Sequence, residues 1–227
     1  MKKDRIAIFD LDETLTQKGT WGRFVTGIVK DQPLKWAPFA LSTAFTQAHY
    51  MLGLGPRERV KERMMQWTIA GRSRSELERL AQEFADNEVQ NGLRRKAREV
   101  IEHHRNAGDR IMIASAAVDL IVHPIADHLN IDDRICTATA FDENQRLKKR
   151  LGGVNCYGPN KLKLVREYLE NEPGFNRENV HITVYSDSRS DLDIFDWADV
   201  GIAVNPSPRL LKCVNEHGLN VQDWDKE

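Results

Sequence analysis

Residues 5–16 read RIAIFDLDETLT, and this stretch decides the fold. The apolar run Ile6-Ala7-Ile8-Phe9 has the length of a buried strand and stops abruptly at Asp10, Asp12 and Thr14. A carboxylate directly behind a buried strand stands at the C-terminal edge of a sheet, where α/β proteins place their ligands. On extended chain Asp10 and Asp12 project the same way. Two neighbouring carboxylates repel unless one keeps a proton or a cation lies between them. The bland alternative is a strand that runs into an acidic turn, and three downstream segments argue against it.

Residues 110–114 form a second apolar strand running into Ser115 and Ala116. Residues 180–185 form another, entering Ser186-Asp187-Ser188-Arg189-Ser190-Asp191. The turn Gly158-Pro159-Asn160 precedes a helix opened by Lys161. Further strands are expected at 135–140 and 200–204, a turn or hairpin at 141–153, and helices at 96–107, 119–128, 161–170 and 208–216. Strands alternating with helices at these lengths predict an α/β fold with a Rossmann-like parallel sheet covered on both faces. Parallel strands bring all the polar strand ends to one edge.

Between the first strand and the rest lies a segment with helical patterning and no strand signal. Helices are expected at 21–29, 35–52 and 56–69. A fourth opens at Ser73, an N-cap with Glu76 three residues on. The division that follows is a core of residues 1–16 and 89–227 and an inserted α-helical cap at 17–88.

Composition narrows the function. In 227 residues, 41% hydrophobic and 30% charged, a net charge of −1 leaves no broadly basic face, which argues against nucleic acid as a partner. Cys136, Cys156 and Cys213 have neither zinc nor disulfide spacing, so a reducing, cytoplasmic setting is expected. Lys2 and Lys3 lead straight into a strand rather than a signal peptide. Residues 33–54 are the most membrane-like stretch but contain Lys35, Gln47, His49 and two prolines, too polar to span. A cap helix is the expectation, with peripheral lipid contact as the alternative. His103, His104 and His128 read as surface residues, and Arg94-Arg95-Lys96-Ala97-Arg98 as a solvated helix face.

The segments DLDET, MIASA, GPNKLKLV and VYSDSRSDLD, in that order, resemble the four motifs of haloacid dehalogenase-like (HAD) phosphatases. The closest likeness is to the subgroup with phosphoserine phosphatases and phosphatidylglycerophosphatase C. The chemistry is consistent with the resemblance. A phosphate monoester carries about two negative charges, so an anionic nucleophile needs a cation beside it. Mg²⁺ held by oxygen ligands supplies that. The resemblance implies Asp10 as nucleophile and Asp12 as general acid and base. It implies Asp10, Asp187 and the backbone carbonyl of Asp12 as Mg²⁺ ligands. Ser115, Lys161 and the backbone at Leu11 and Ala116 would hold phosphate, with Asp191 and Thr14 behind them. Dehalogenases lack the second Asp, so Asp12 argues against dehalogenation.

The expected activity is therefore hydrolysis of a phosphate monoester, either a small molecule or a lipid headgroup, through an aspartyl-phosphate. A phosphotransferase or phosphomutase using the same aspartate is the alternative, with a non-enzymatic Mg²⁺-dependent phospho-acceptor module behind it. Trp21 and Arg23 are the nearest candidates for substrate contact. Phosphoserine phosphatases carry a Glu near position 19, where this chain has Gly19, so phosphoserine is discounted.

Overall fold

The computed structural model describes residues 4–30 and 32–226. The reading of Lys2 and Lys3 lies outside them. The strand around which the sheet is built is β1 (Asp4–Phe9). The other strands are β2 (Arg110–Val118), β3 (Asp133–Thr137), β4 (Thr139–Phe141), β5 (Leu147–Leu151), β6 (Val180–Ser186), β7 (Val200–Val204) and β8 (Asn220–Gln222). Six of them form a parallel sheet in the order β3-β2-β1-β6-β7-β8. The order runs outward from β1 in both directions, so the switch point of the sheet lies at the C-terminal end of β1.

Alternation along β1 explains the two cores. Ala7 and Phe9 join one buried cluster and Ile6 and Ile8 the other, as successive side chains of a central strand must. The first cluster is covered by α1 (Thr20–Val29), α4 (Arg74–Asn91), α5 (Ala97–Asn106) and α6 (Asp119–His128). The second is covered by α7 (Pro159–Glu170), α8 (Leu192–Trp197) and α9 (Pro208–Leu211). Register pairs Phe9 with both Ile113 and Tyr185, which brings the ends of β1, β2 and β6 side by side.

Between β1 and β2 the chain is helical, as expected. It runs through α1, α2 (Pro33–Met51), α3 (Glu58–Thr68), α4 and α5. The helix α2 packs mainly on α3, whereas α4 packs on α6 of the core. Ser73 caps α4, accepting from the Glu76 N–H.

Several expectations need correction. The single strand at 135–140 is broken, because β3 belongs to the main sheet while β4 pairs antiparallel with β5. That hairpin docks on the insert: Gly71 N–H donates to Leu147 O at 2.8 Å and Leu147 N–H to Arg72 O at 3.0 Å. The last helix ends at Leu211, not 216. β8, exposed throughout, has no apolar pattern to announce it.

His104 is buried, not superficial, and bridges the Tyr185 hydroxyl and Asp109 at 2.7 Å each. Phe9 stacks on Tyr185 with centroids 4.5 Å apart, and Trp224 leans on both. Trp224 is fully buried; its backbone N–H donates to Asn205 Oδ1 and its indole N–H to Gln222 Oε1, both at 2.8 Å. This aromatic cluster lies under the strand end that bears Asp10. We expect Trp224→Ala to cost about 3–5 kcal/mol in denaturant unfolding, among the largest single losses outside the site.

Candidate active site

Asp10 leaves β1 with its N–H still bonded to Tyr185 O at 2.9 Å. The chain then folds into a tight turn, Leu11–Leu15, closed by Thr16 N–H on Leu11 O at 3.0 Å. Inside it Asp12 is extended (φ −66°, ψ 125°) and Glu13 is left-handed (φ 61°). This geometry corrects the expectation that Asp10 and Asp12 share one extended face. The Asp10 carboxylate points into the core side of the site. Asp12 Oδ1 instead accepts from the Thr20 N–H at 2.8 Å and its hydroxyl at 2.6 Å, at the start of α1.

The strained Glu13 carbonyl is held by Arg94, through Nε at 3.0 Å and Nη2 at 2.6 Å. Arg94 also pairs with Asp225 and is only 8% exposed. It precedes α5 rather than lying on a solvated helix face, which overturns the reading of that basic run for this residue.

Lys161 organises the carboxylates. Gly158 adopts φ 60°, ψ −137°, a conformation open to glycine, and Pro159 starts α7 behind it. That turn sends Lys161 Nζ inward to within 3.2 Å of Asp10 Oδ1 and 2.6 Å of Asp191 Oδ2. Lys161 is 3% exposed. Burial works against its charge, but Asp10 and Asp191 outweigh this and hold it well above the usual lysine range. Asp191 Oδ2 also accepts from Ser186 Oγ at 2.6 Å, a contact not foreseen from sequence.

The hydrogen bonds to Asp10 converge on Oδ1, which takes the Leu11 N–H at 2.8 Å as well as Lys161. Leu11, expected to face phosphate, therefore spends its N–H on the Asp10 carboxylate. Burial pushes the Asp10 carboxyl up to about 7, with Asp191 and Asp12 adding and Lys161 and the Leu11 N–H opposing. Asp187, at the end of β6, is likewise pushed up by burial to about 8, helped by Asp10, Glu13 and Asp191. Thr14 secures it from both sides, donating its hydroxyl to Asp187 Oδ1 at 3.2 Å and accepting the Asp187 N–H at 2.9 Å.

These carboxylates repel one another around a shared space. Among the described residues no three His, Cys, Asp or Glu side chains form a preformed cation cage. Mg²⁺ does not require one, since it takes one or two carboxylates with waters and substrate phosphate completing an octahedron. Asp191 Oδ1 is buried without a hydrogen-bond donor, which suits a donor arriving on a hydrated cation. The donor set of Asp10, Asp187 and the Asp12 carbonyl fits that ion.

Ser115 lies within β2 at a register shift between Ala114 and Val118, not beyond the strand end as expected. It is fully buried and its Oγ accepts the Ala117 N–H at 3.2 Å. Ala116 is met from the insert: Lys61 Nζ donates to the Ala116 carbonyl and to Asn155 Oδ1 at 2.6 Å. Burial and the neighbouring Arg57 bring Lys61 down to about 8, against the pull of Asp12. A cavity of about 230 Å³ opens here between insert and core, lined in part by Asp12, Trp21, Gln47, Arg57, Lys61 and Ala116. A larger one of about 470 Å³ opens at the other end of the strands beside Asp4 and Asp109, and none of the site carboxylates lines it.

Of the two substrate-contact candidates, Trp21 lines the smaller cavity and its buried indole N–H has no partner. Arg23 turns away to α4, where the fully buried Glu88 takes both of its terminal nitrogens. The sequence reading missed Lys61 and Arg57. Their only local signal is a short basic repeat, R-E-R-V-K, in an insert with no decipherable motif.

Comparison with known proteins identifies the family and the fold. Residues 7–196 match the family model of the haloacid dehalogenase-like hydrolases. The chain is 27% identical over 222 residues to the phosphoserine phosphatase SerB1 of Mycobacterium tuberculosis, covering 96% of this chain and 70% of that one. A Bordetella pertussis protein of unknown function superposes with a TM-score of 0.87 at 24% identity, over 98% of this chain and 99% of its own. A substrate-bound phosphoserine phosphatase superposes at 0.66 and 17% identity, over 100% and 95%. At these identities the two superpositions speak for the fold. The match over residues 7–196 is the broader finding: this chain is a member of the haloacid dehalogenase-like hydrolases.

Proposed function

We propose that this hydrolase is a Mg²⁺-dependent phosphatase that carries the phosphoryl group on Asp10. The observation that supports it most is the buried Asp10 carboxylate, with Oδ1 held by Lys161 and the Leu11 N–H at the sheet switch point. Relatives named phosphoserine phosphatase and probable phosphatase, both from Mycobacterium tuberculosis, point to the same class of substrate.

In this reading Asp10 Oδ2 attacks phosphorus and the bond from phosphorus to the ester oxygen breaks. Asp12 gives its proton to the departing oxygen. Water then attacks the phosphorus, returns a proton to Asp12 and releases inorganic phosphate and free Asp10. Bound Mg²⁺ would supply positive charge beside the nucleophile, held by Asp10, Asp187 and the Asp12 carbonyl. Lys161 screens Asp10 from the incoming dianion. The Ser115 hydroxyl and the Ala116 N–H would hold the transferring group. Thr20 holds Asp12 Oδ1, which leaves Oδ2 to carry the proton.

The leaving group would enter the cavity beside Trp21, where Arg57 and Lys61 favour a further anionic substituent. Position 19 offers no carboxylate to a substrate ammonium, which keeps phosphoserine off the expected list. A panel of phosphate esters that includes phosphoserine, with released phosphate as readout, tests this. Adding acceptor alcohols to the same assay separates hydrolysis from phosphoryl transfer.

Two outcomes are expected. Asp10→Asn should lower kcat for p-nitrophenyl phosphate at least about a thousandfold with thermal unfolding unimpaired, and wild-type turnover would refute the nucleophile. The second concerns metal removal. Asp10 and Asp187 are raised from 3.8 to about 7 and about 8, so the folded protein binds protons that the unfolded chain has released. Stability of the metal-free protein should therefore fall as pH rises from about 4 to about 8. Added Mg²⁺ should restore Tm most at the alkaline end, and Asp187→Asn should raise the metal-free Tm at that pH while abolishing the Mg²⁺ effect.

A further inference from the structure

The helix α2 presents its apolar stripe to solvent instead of to the core. At helical spacing, Leu34, Ala37, Leu41, Ala44, Phe45 and Ala48 fall on one face of it. Leu34 is 92% exposed, Leu41 74% and Phe45 73%. The face continues into the loop after the helix, where Met51, Leu52 and Leu54 are also exposed. Of the large apolar residues of α2, only Phe39 is deeply buried. A row of this size on one helix exceeds the scattered exposed apolar residues of an ordinary surface.

The charge around it is one-sided. From residue 32 to residue 57 there is no Asp or Glu. Residues 17–72 hold nine Lys and Arg against three Asp and Glu, whereas the rest of the chain holds 24 against 31. Phe45 forms one wall of a groove of about 400 Å³ where His49, Arg59, Arg63 and Arg150 outnumber a single carboxylate, Glu62. Among the described residues none of these arginines is in an ion pair, and all three are exposed.

We propose that this face is a docking surface for an anionic lipid bilayer. The helix α2 lies in the interface plane with Leu34, Leu41 and Phe45 among the acyl chains, and Arg59, Arg63 and Arg150 meet lipid phosphates. The charge decides between occupants. A second copy would bring two locally cationic faces together, whereas an anionic leaflet complements them. No helix among the described residues is long and apolar enough to cross a membrane, which is consistent with a helix that lies on one. The surface is separate from the carboxylate site, and its test does not depend on the chemistry proposed there.

Vesicle flotation of the full chain tests it. We expect binding to phosphatidylcholine vesicles containing about 30% phosphatidylglycerol, little binding to pure phosphatidylcholine, and release in about 0.5 M salt. Leu41→Ser with Phe45→Ser should reduce partitioning at least about tenfold, and so should Arg59→Gln with Arg63→Gln and Arg150→Gln. Both variants should keep the wild-type Tm and p-nitrophenyl phosphate turnover. Absence of binding by the wild type, or undiminished binding by the serine variant, would overturn the proposal. So would a wild-type dimer that the serine variant converts to monomer, which would assign the face to a second copy.

Discussion

A lysine ammonium buried between two carboxylates governs this site. Lys161 touches Asp10 at 3.2 Å and Asp191 at 2.6 Å while almost fully withdrawn from water. Buried charges persist only when paired and hydrogen-bonded, and each partner here is supported in turn. Ser186 donates to Asp191, and the Leu11 N–H donates to Asp10. The three elements that bring these groups together are the ends of β1 and β6 and the first turn of α7. The sheet order radiating from β1 is what makes their meeting unavoidable.

Around that centre the negative charge is in excess. Asp10 and Asp187 are both raised toward neutrality by burial and by neighbouring carboxylates. Such an excess is relieved by protons or by a divalent cation, and the proposed phosphoryl transfer would use the second. Asp12 adds to the repulsion on Asp10, but Thr20 holds its Oδ1 toward α1. The group proposed to move the proton is therefore tied to the inserted helices, as is Lys61, which reaches from α3 to the core at Ala116 and Asn155.

Much of this was legible in the sequence because it rests on local patterns. Abrupt ends of apolar strands located Asp10 and Asp187, and a Gly-Pro turn located Lys161. The parallel sheet followed from strands alternating with helices. What stayed hidden rests on partners far apart in sequence. Nothing near Arg94 announces that it holds the Glu13 carbonyl, nor near Arg23 that Glu88 occupies it. The strand at 135–140 read as one piece because its apolar pattern is continuous, while the break answers to hairpin pairing with β5. The extended chain expected from Asp10 to Asp12 failed because a tight turn, Leu11–Leu15, begins directly after Asp10, and the left-handed Glu13 then turns the chain toward the insert.

Asp10 is the residue proposed to carry the phosphoryl group. Borohydride reduces an acyl phosphate to the alcohol, so trapping the enzyme during turnover would convert a phosphorylated Asp10 to homoserine. Peptide mass spectrometry of the quenched, Mg²⁺-loaded enzyme should find homoserine at position 10, dependent on substrate. Homoserine at another aspartate, or none while phosphate is being released, would contradict the account.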